Sequence, residues 1–247
     1  MHKGSHDLAR RAIKYEMLGL SLREYIELRF NIHLPSYPLS EIIQNHERLA
    51  SQIIERCEAI DQKIIPLFQH YLKCGYYPYF FELPNEEFYF ITLEQNIHAT
   101  IEVDLAAIYP HLNGVSINKL KQLLIFIAKS VPFTPNWTTI KDTLEIGDAR
   151  TVKTYFQYLQ DAYLVRCVGK GNKKFDHMNS PEKVYLDNPN QMQALCAGAA
   201  NSGSERETFF LDMLSLKHSV TLAQKGDFLI DGNMLFEIGG RKKTFEQ

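Results

Sequence analysis

Long apolar runs are missing from this 247-residue chain. Without a stretch of about 18 apolar residues, no helix that crosses a bilayer is expected. The first residues, Met1-His2-Lys3-Gly4-Ser5-His6-Asp7, lack the apolar core of a signal peptide, so no secretory leader is expected either. Cysteine is sparse: Cys57, Cys74, Cys167 and Cys196 are widely spaced and form no CxxC, which reads as reduced thiols in a cytoplasmic protein. The nine histidines are scattered, with no HxH, no HExxH and no Cys/His cluster at the spacing of a zinc motif. Charge of one sign is scarce too. Lys plus Arg is 27 against 29 Asp plus Glu, so the chain is no polycation and any nucleic-acid surface must be local. No internal repeat or low-complexity tract occurs. What is present is an ordinary globular balance, 45% apolar and 23% charged, which excludes wholesale disorder.

Charge by segment says more than the total. Residues 1–113 carry a balance of −5, residues 114–187 a balance of +4, and residues 188–247 a balance of −1. The middle third is the basic part of the chain.

The first half reads as amphipathic helices. Ser21 with Glu24 three residues on is a capping-box pattern, opening a helix through Leu28. Ser40–Cys57 places Ile42, Ile43, Leu49, Ile53 and Ile54 at the spacing of one helical face. A further helix holds Ile64, Ile65, Phe68, Tyr71 and Leu72, with Gly75 as its C-cap, and another runs from Leu93 to Ile108. The run Tyr76-Tyr77-Pro78-Tyr79-Phe80-Phe81 reads as a buried joint between helices rather than a stacking platform.

Packing alone explains two stretches less readily, Ala9 to Tyr25 and Tyr71 to Glu82. They contain the patterns LSxREY and YLxxGYYPxF, and Gly4-Ser5 leads into a basic loop with Arg10 and Arg11. Together they resemble a prokaryotic family of AAA-type ATPases that carry a winged helix and a nuclease-like domain after the motor. The resemblance implies ATP and Mg²⁺ for an intact family member. The phosphate-binding loop of that family lies upstream of such motifs, and no GxxxxGK[ST] occurs here. Gly169-Lys170-Gly171-Asn172-Lys173-Lys174 has the composition but not the spacing, and reads as a hairpin turn. These residues are therefore expected to be a fragment that needs no cofactor of its own.

The middle reads as a winged helix. Asn118–Lys129 is a helix stopped by Pro132 and Pro135. A short helix over Thr138–Leu144, capped by Thr138 or Thr139, leads into a tight turn at Gly147. A second helix, capped by Asp148 or Thr151, runs through Leu164. Strands over Tyr163–Val168 and Lys183–Leu186 flank a turn at Lys170-Gly171-Asn172. Arg150, Lys153 and Gln157 fall on the outward side of the second helix, where base edges or phosphates would be met. Lys170, Lys173 and Lys174 on the wing suit backbone phosphates. Contact with a protein is the competing reading, since fold alone does not set function.

The last segment reads as a helix over Glu205–Leu214, a strand at Val220–Leu222, and a hairpin of Gly226–Ile230 with Met234–Ile238. A three-residue loop sets Asp227 opposite Glu237; a two-residue turn at Asp231-Gly232 would instead set it opposite Phe236. Two opposed carboxylates are where a divalent metal is chemically plausible. This pattern resembles the PD-(D/E)XK nuclease family. By that resemblance Glu207 matches the helix acid, Asp227 and Glu237 the strand acids, and Gly239 stands where the family carries a lysine. Arg241 or Lys242 lie further along the strand.

The expected fold is mainly α, then α+β. Its parts are the tail of an ATPase core with a linker helix (1–35), a helical lid-like region (36–113), a winged helix (114–187) and a truncated nuclease-like domain (188–247). The expected function is that of the C-terminal portion of an AAA-type ATPase in the cytoplasm. It would bind duplex DNA or a client protein alongside the rest of the ATPase, away from membranes, with no catalysis of its own. A metal-dependent nuclease with residual DNA cleavage and a purely protein–protein module are the alternatives.

Overall fold

Ser21 opens the first helix as a full capping box: its side chain accepts from the Glu24 N–H, and Glu24 returns to the Ser21 N–H at 2.8 Å. This helix, α1 (Leu22–Phe30), stops at Asn31, whose left-handed backbone breaks the ladder. The computed structural model describes residues 17–170, 181–196 and 201–239. Gly4-Ser5, Arg10, Arg11, the turn at 171–172, Lys173, Lys174, Arg241 and Lys242 lie outside them. Among the described residues the chain is mainly helical with two small antiparallel sheets. They divide into a unit of residues 17–90 and a unit of residues from 91 on. No described helix is long and apolar enough to cross a membrane.

In the 17–90 unit, α2 (Leu39–Glu58) and α3 (Ile64–Cys74) follow α1. The apolar stripe of α2 is buried at Leu49 and Cys57, whereas Ile42, Ile43 and Ile54 are exposed, so the expected continuous core face is only partly covered. A 3-10 turn over Pro78–Glu82 leads into α4 (Glu86–Ala99). The described part of the first motif stretch, residues 17–25, packs directly on the second, Tyr71 to Glu82. Leu20 N–H donates to Tyr76 O at 2.7 Å, Tyr71 O–H donates to Leu20 O at 2.6 Å, and Gly19 lies flat on the Tyr76 ring, where a Cβ would sit 2.4 Å from ring carbons. Tyr25, Tyr71 and Tyr76 are buried there, so packing explains these residues better than the sequence suggested. Gly75 does end α3, but its φ of −106° is not left-handed; what it supplies is space.

In the second unit, α4 passes through a π turn (Thr100–Asp104) into α5 (Leu105–Ile108), burying Leu93, Ile97, Ile101 and Leu105 as one stripe. Next come α6 (Gly114–Ser130), α7 (Trp137–Thr143) and α8 (Ala149–Asp161). Two local expectations are corrected here. Asn136, not Thr138 or Thr139, caps α7 by accepting from Thr139 N–H, since an Asn side chain at the N-cap reaches that orphan donor. The turn between α7 and α8 takes its left-handed residue at Glu145 (φ 50°), not at Gly147. Asp148 caps α8 as expected.

β1 (Val165–Val168) pairs antiparallel with β2 (Lys183–Leu186), setting Val165 opposite Leu186. The first strand starts later than the sequence suggested because Tyr163 is left-handed (φ 56°) and closes α8. After α9 (Pro189–Leu195) and α10 (Ser202–Ser215), β3 (Val220–Leu222), β4 (Phe228–Ile230) and β5 (Met234–Phe236) form a meander. Ile230 pairs with Met234, so the three-residue loop is the one adopted, with Asp231 and Gly232 both left-handed.

The meander carries a pH device. Asp231 accepts from His218 Nδ1 at 2.7 Å and from Ser219 N–H at 2.9 Å, and these bonds, His218 foremost, hold its carboxyl below the usual carboxylate range. A carboxyl depressed by folding contributes its full stability above the unfolded pKa and loses it as pH falls through the folded one. Asp231→Asn is therefore expected to destabilise at neutral pH, with the difference from wild type closing in acid. Urea unfolding across the acid range checks this.

Candidate nucleic-acid interface

Helix α8 buries Val152, Tyr155, Phe156, Tyr158 and Leu159 and turns the opposite side outward. Arg150, Thr154 and Gln157 are exposed, and their spacing of four and three places them on one stripe. The Arg150 side chain has no acidic partner among the described residues. Lys153 is half-buried, its ammonium 5.3 Å from the centre of the Trp137 ring, a cation–π contact that fixes its direction.

Neighbouring cations are spoken for. Lys141 lies 3.1 Å from Asp142, and Lys170, two residues after β1, pairs with Glu182 at 2.7 Å. Lys170 is thus neutralised locally, a partner the sequence reading did not assign to it. Lys173 and Lys174 lie outside the described residues.

The acids of the last segment are partly gathered. The β4–β5 register, carried one residue beyond each strand, sets Asp227 opposite Glu237, and Asp227 N–H donates to Phe236 O at 3.0 Å. One Asp227 carboxylate oxygen accepts from Ile238 N–H at 2.6 Å. On α10, Glu207 accepts from the Tyr185 hydroxyl at 3.0 Å, with Lys183 Nζ 3.8 Å away. Burial, then the Glu207 charge, pushes the Tyr185 phenol up, and Asp227 adds to the same effect. Glu207 thus meets Tyr185 of β2, a contact the sequence did not suggest because Tyr185 looks like an ordinary strand aromatic.

A buried ion cluster joins the hairpin to α10. Arg166 of β1 lies 3.0 Å from Asp187 Oδ1 and 2.8 Å from Asp212 Oδ1, and both acids are buried. A cleft of about 220 Å³ beside it is lined by Gln160, Tyr163, Cys167 and Leu211 among others. Since Arg166 is held by two carboxylates, the cleft offers no spare cation for an anionic ligand. Cys167 is inert there, its thiol pushed up to about 12 by burial.

One group of three His, Cys, Asp or Glu ligand atoms lies within mutual reach among the described residues, and it is not the acid pair of the hairpin. It is His70, Cys74 and Glu86 in the 17–90 unit. The scattered histidines hid it: His70 and Cys74 are four apart on α3, while Glu86 comes from the start of α4.

No curated protein and no solved structure matches the chain. A family model does, over residues 65–194, from α3 through the hairpin into α9. That span includes α8 and the His70 group and leaves out Glu207, Asp227 and Glu237. It covers more than half of the sequence, so the chain belongs to the family described as domain of unknown function DUF8612.

Proposed function

We propose that the chain is a DNA-contacting module, the C-terminal portion of an AAA-type ATPase, with α6, α7, α8 and the β1–β2 hairpin acting as a winged helix. The observation that carries this reading is the exposed stripe of Arg150, Thr154 and Gln157 on α8, with Arg150 lacking an acidic partner among the described residues. A helix that follows a turn and presents a guanidinium with no acidic partner among the described residues, beside two neutral hydrogen-bonding side chains, suits a groove of duplex DNA. The motif stretches around Gly19 and Tyr76 support the ATPase lineage through their resemblance alone. Protein contact through the same face is the alternative.

Catalysis is not part of the proposal. Asp227 and Glu237 lie opposite each other, but Gly239 supplies no cation for the scissile phosphate, and Glu207 already accepts from Tyr185.

Fluorescence anisotropy with a labelled duplex tests the reading. Binding is expected to be weak and to fall steeply with salt, because phosphate contacts release counterions. Arg150→Glu should weaken it by about tenfold or more and flatten the salt slope by about one unit. Lys63→Glu, in the other unit, should leave it unchanged. Absence of duplex binding by wild type at low salt would transfer the face to a protein partner. No Mg²⁺- or Mn²⁺-dependent cleavage is expected in the same mixtures; cleavage that vanishes in Asp227→Ala/Glu237→Ala would overturn the non-catalytic part.

A further inference from the structure

We propose that His70, Cys74 and Glu86 form a binding site for a zinc-class divalent ion, completed by water. His70 and Cys74 are one helical turn apart on α3 and so share a face. The Pro78–Glu82 turn reverses the chain and returns Glu86, the first residue of α4, to that face.

The distances suit the edges of a coordination sphere. Cys74 Sγ lies 3.6 Å from His70 Nε2, and the same nitrogen lies 3.4 Å from Glu86 Oε1. An N–H to carboxylate bond normally spans about 2.7–3.2 Å, so the second contact is long for one. A tetrahedral ion with bonds of about 2.3 Å to sulfur and about 2.0–2.2 Å to nitrogen and oxygen separates S from N by about 3.5–3.6 Å and N from O by about 3.3–3.5 Å. Both observed separations fit that geometry, and the three ligand atoms all lie within 4.8 Å of one another.

The surroundings orient the ligands. The other ring nitrogen, His70 Nδ1, lies 2.6 Å from the buried Tyr25 hydroxyl, the kind of outer partner that fixes the tautomer of a ligating imidazole. Lys73 holds the Oε2 oxygen of Glu86, leaving Oε1 toward His70. Two cations work against a metal. Arg29 is 3.1 Å from Nδ1 and 3.4 Å from the ligating Nε2, although it also donates to the Tyr25 oxygen, and Lys73 partly neutralises Glu86. A thiolate and a carboxylate together balance a divalent charge, and the sulfur selects a zinc-class ion over magnesium or calcium. Ion binding would replace the Cys74 S–H proton, which leaves to solvent. The bound ion would tie α3 to the first turn of α4 across the aromatic turn between them.

The test uses the full chain, stripped with chelator and titrated with Co²⁺, then with Zn²⁺. The expected result is a sulfur-to-cobalt charge-transfer band that saturates at one ion per chain and is erased by Zn²⁺. Cys74→Ser should abolish the band. Glu86→Gln, a change at a partly exposed carboxylate, and His70→Asn should keep it but weaken Co²⁺ binding by at least about tenfold, the loss that even outer partners of metal ligands produce. His218→Asn, in the other unit, should change nothing. A wild-type chain without the band overturns the proposal. So does a band that survives Cys74→Ser, which would assign it to another cysteine, or Co²⁺ affinity that is unmoved by Glu86→Gln and His70→Asn. Should Cys74→Ser lose its near-ultraviolet dichroism, the other two variants decide.

Discussion

Replacing Arg166 with leucine is expected to destabilise the chain by about 3–5 kcal/mol, the usual cost of removing one partner from a buried ion pair. The guanidinium lies 3.0 Å from Asp187 and 2.8 Å from Asp212, and the Asp212 side chain is 0% exposed. Its Nε also donates to Asp187 O at 3.0 Å. The mutation would leave two buried carboxylates without the cation that compensates their loss of water. Because the cluster joins β1, the end of β2 and α10, its loss should loosen the hairpin and the last helix together. Urea unfolding followed by far-ultraviolet dichroism measures the cost. The double variant Arg166→Leu/Asp212→Leu should recover part of it, since removing a charge with its partner is less costly than stranding it. A loss below about 1 kcal/mol would put the cluster in the class of solvated surface pairs.

Gly75→Ala should be the most damaging of the glycine substitutions in the 17–90 unit. Its Cβ would stand 2.6 Å from the Tyr71 ring and 2.7 Å from the Tyr71 Cα, and backbone cannot swing aside as a side-chain tip can. The ring is held too, because the Tyr71 hydroxyl donates to Leu20 O. Overpacking of this kind costs about 1–3 kcal/mol or more. Gly147→Ala is the matched contrast. Nothing lies within 4 Å of the Cβ it would add, so a gain of up to about 1 kcal/mol is expected from the lower entropy of the unfolded chain. Thermal melts of the two variants should move in opposite directions; a Gly75→Ala melt that does not fall would show that the Tyr71 contact can relax.

Local signals were legible in the sequence wherever the chemistry lies within a few residues. The capping box of Ser21 with Glu24, the cap at Asp148, and the strands at 183–186 and 220–222 follow from side chains next to the backbone they serve. The face of α8 bearing Arg150 and Gln157 follows from helical period alone. Asp227 opposite Glu237 needed only a choice between two loops, and the left-handed Asp231 and Gly232 made it. Where several residues compete for one local role, the pattern alone did not choose between them. Asn136 rather than Thr138 caps α7, and Glu145 rather than Gly147 makes the turn.

Contacts between distant residues were not legible, because no spacing rule connects them. Arg166 reaches Asp212 across 46 positions and Tyr185 reaches Glu207 across 22, so neither partner marks the other in sequence. Apolar periodicity in α2 predicted a face but not its cover, since burial of Ile42, Ile43 and Ile54 depends on what packs there. His70, Cys74 and Glu86 match no zinc motif as a string; the reversal at Pro78–Glu82 makes them neighbours. The sequence by itself therefore determined helix and strand identity, the caps at Ser21 and Asp148 and the outward face of α8, all set by interactions within a turn or two. The tertiary structure alone decided which charges are neutralised and which ligands meet, because both depend on desolvation and on distances that only the folded chain creates.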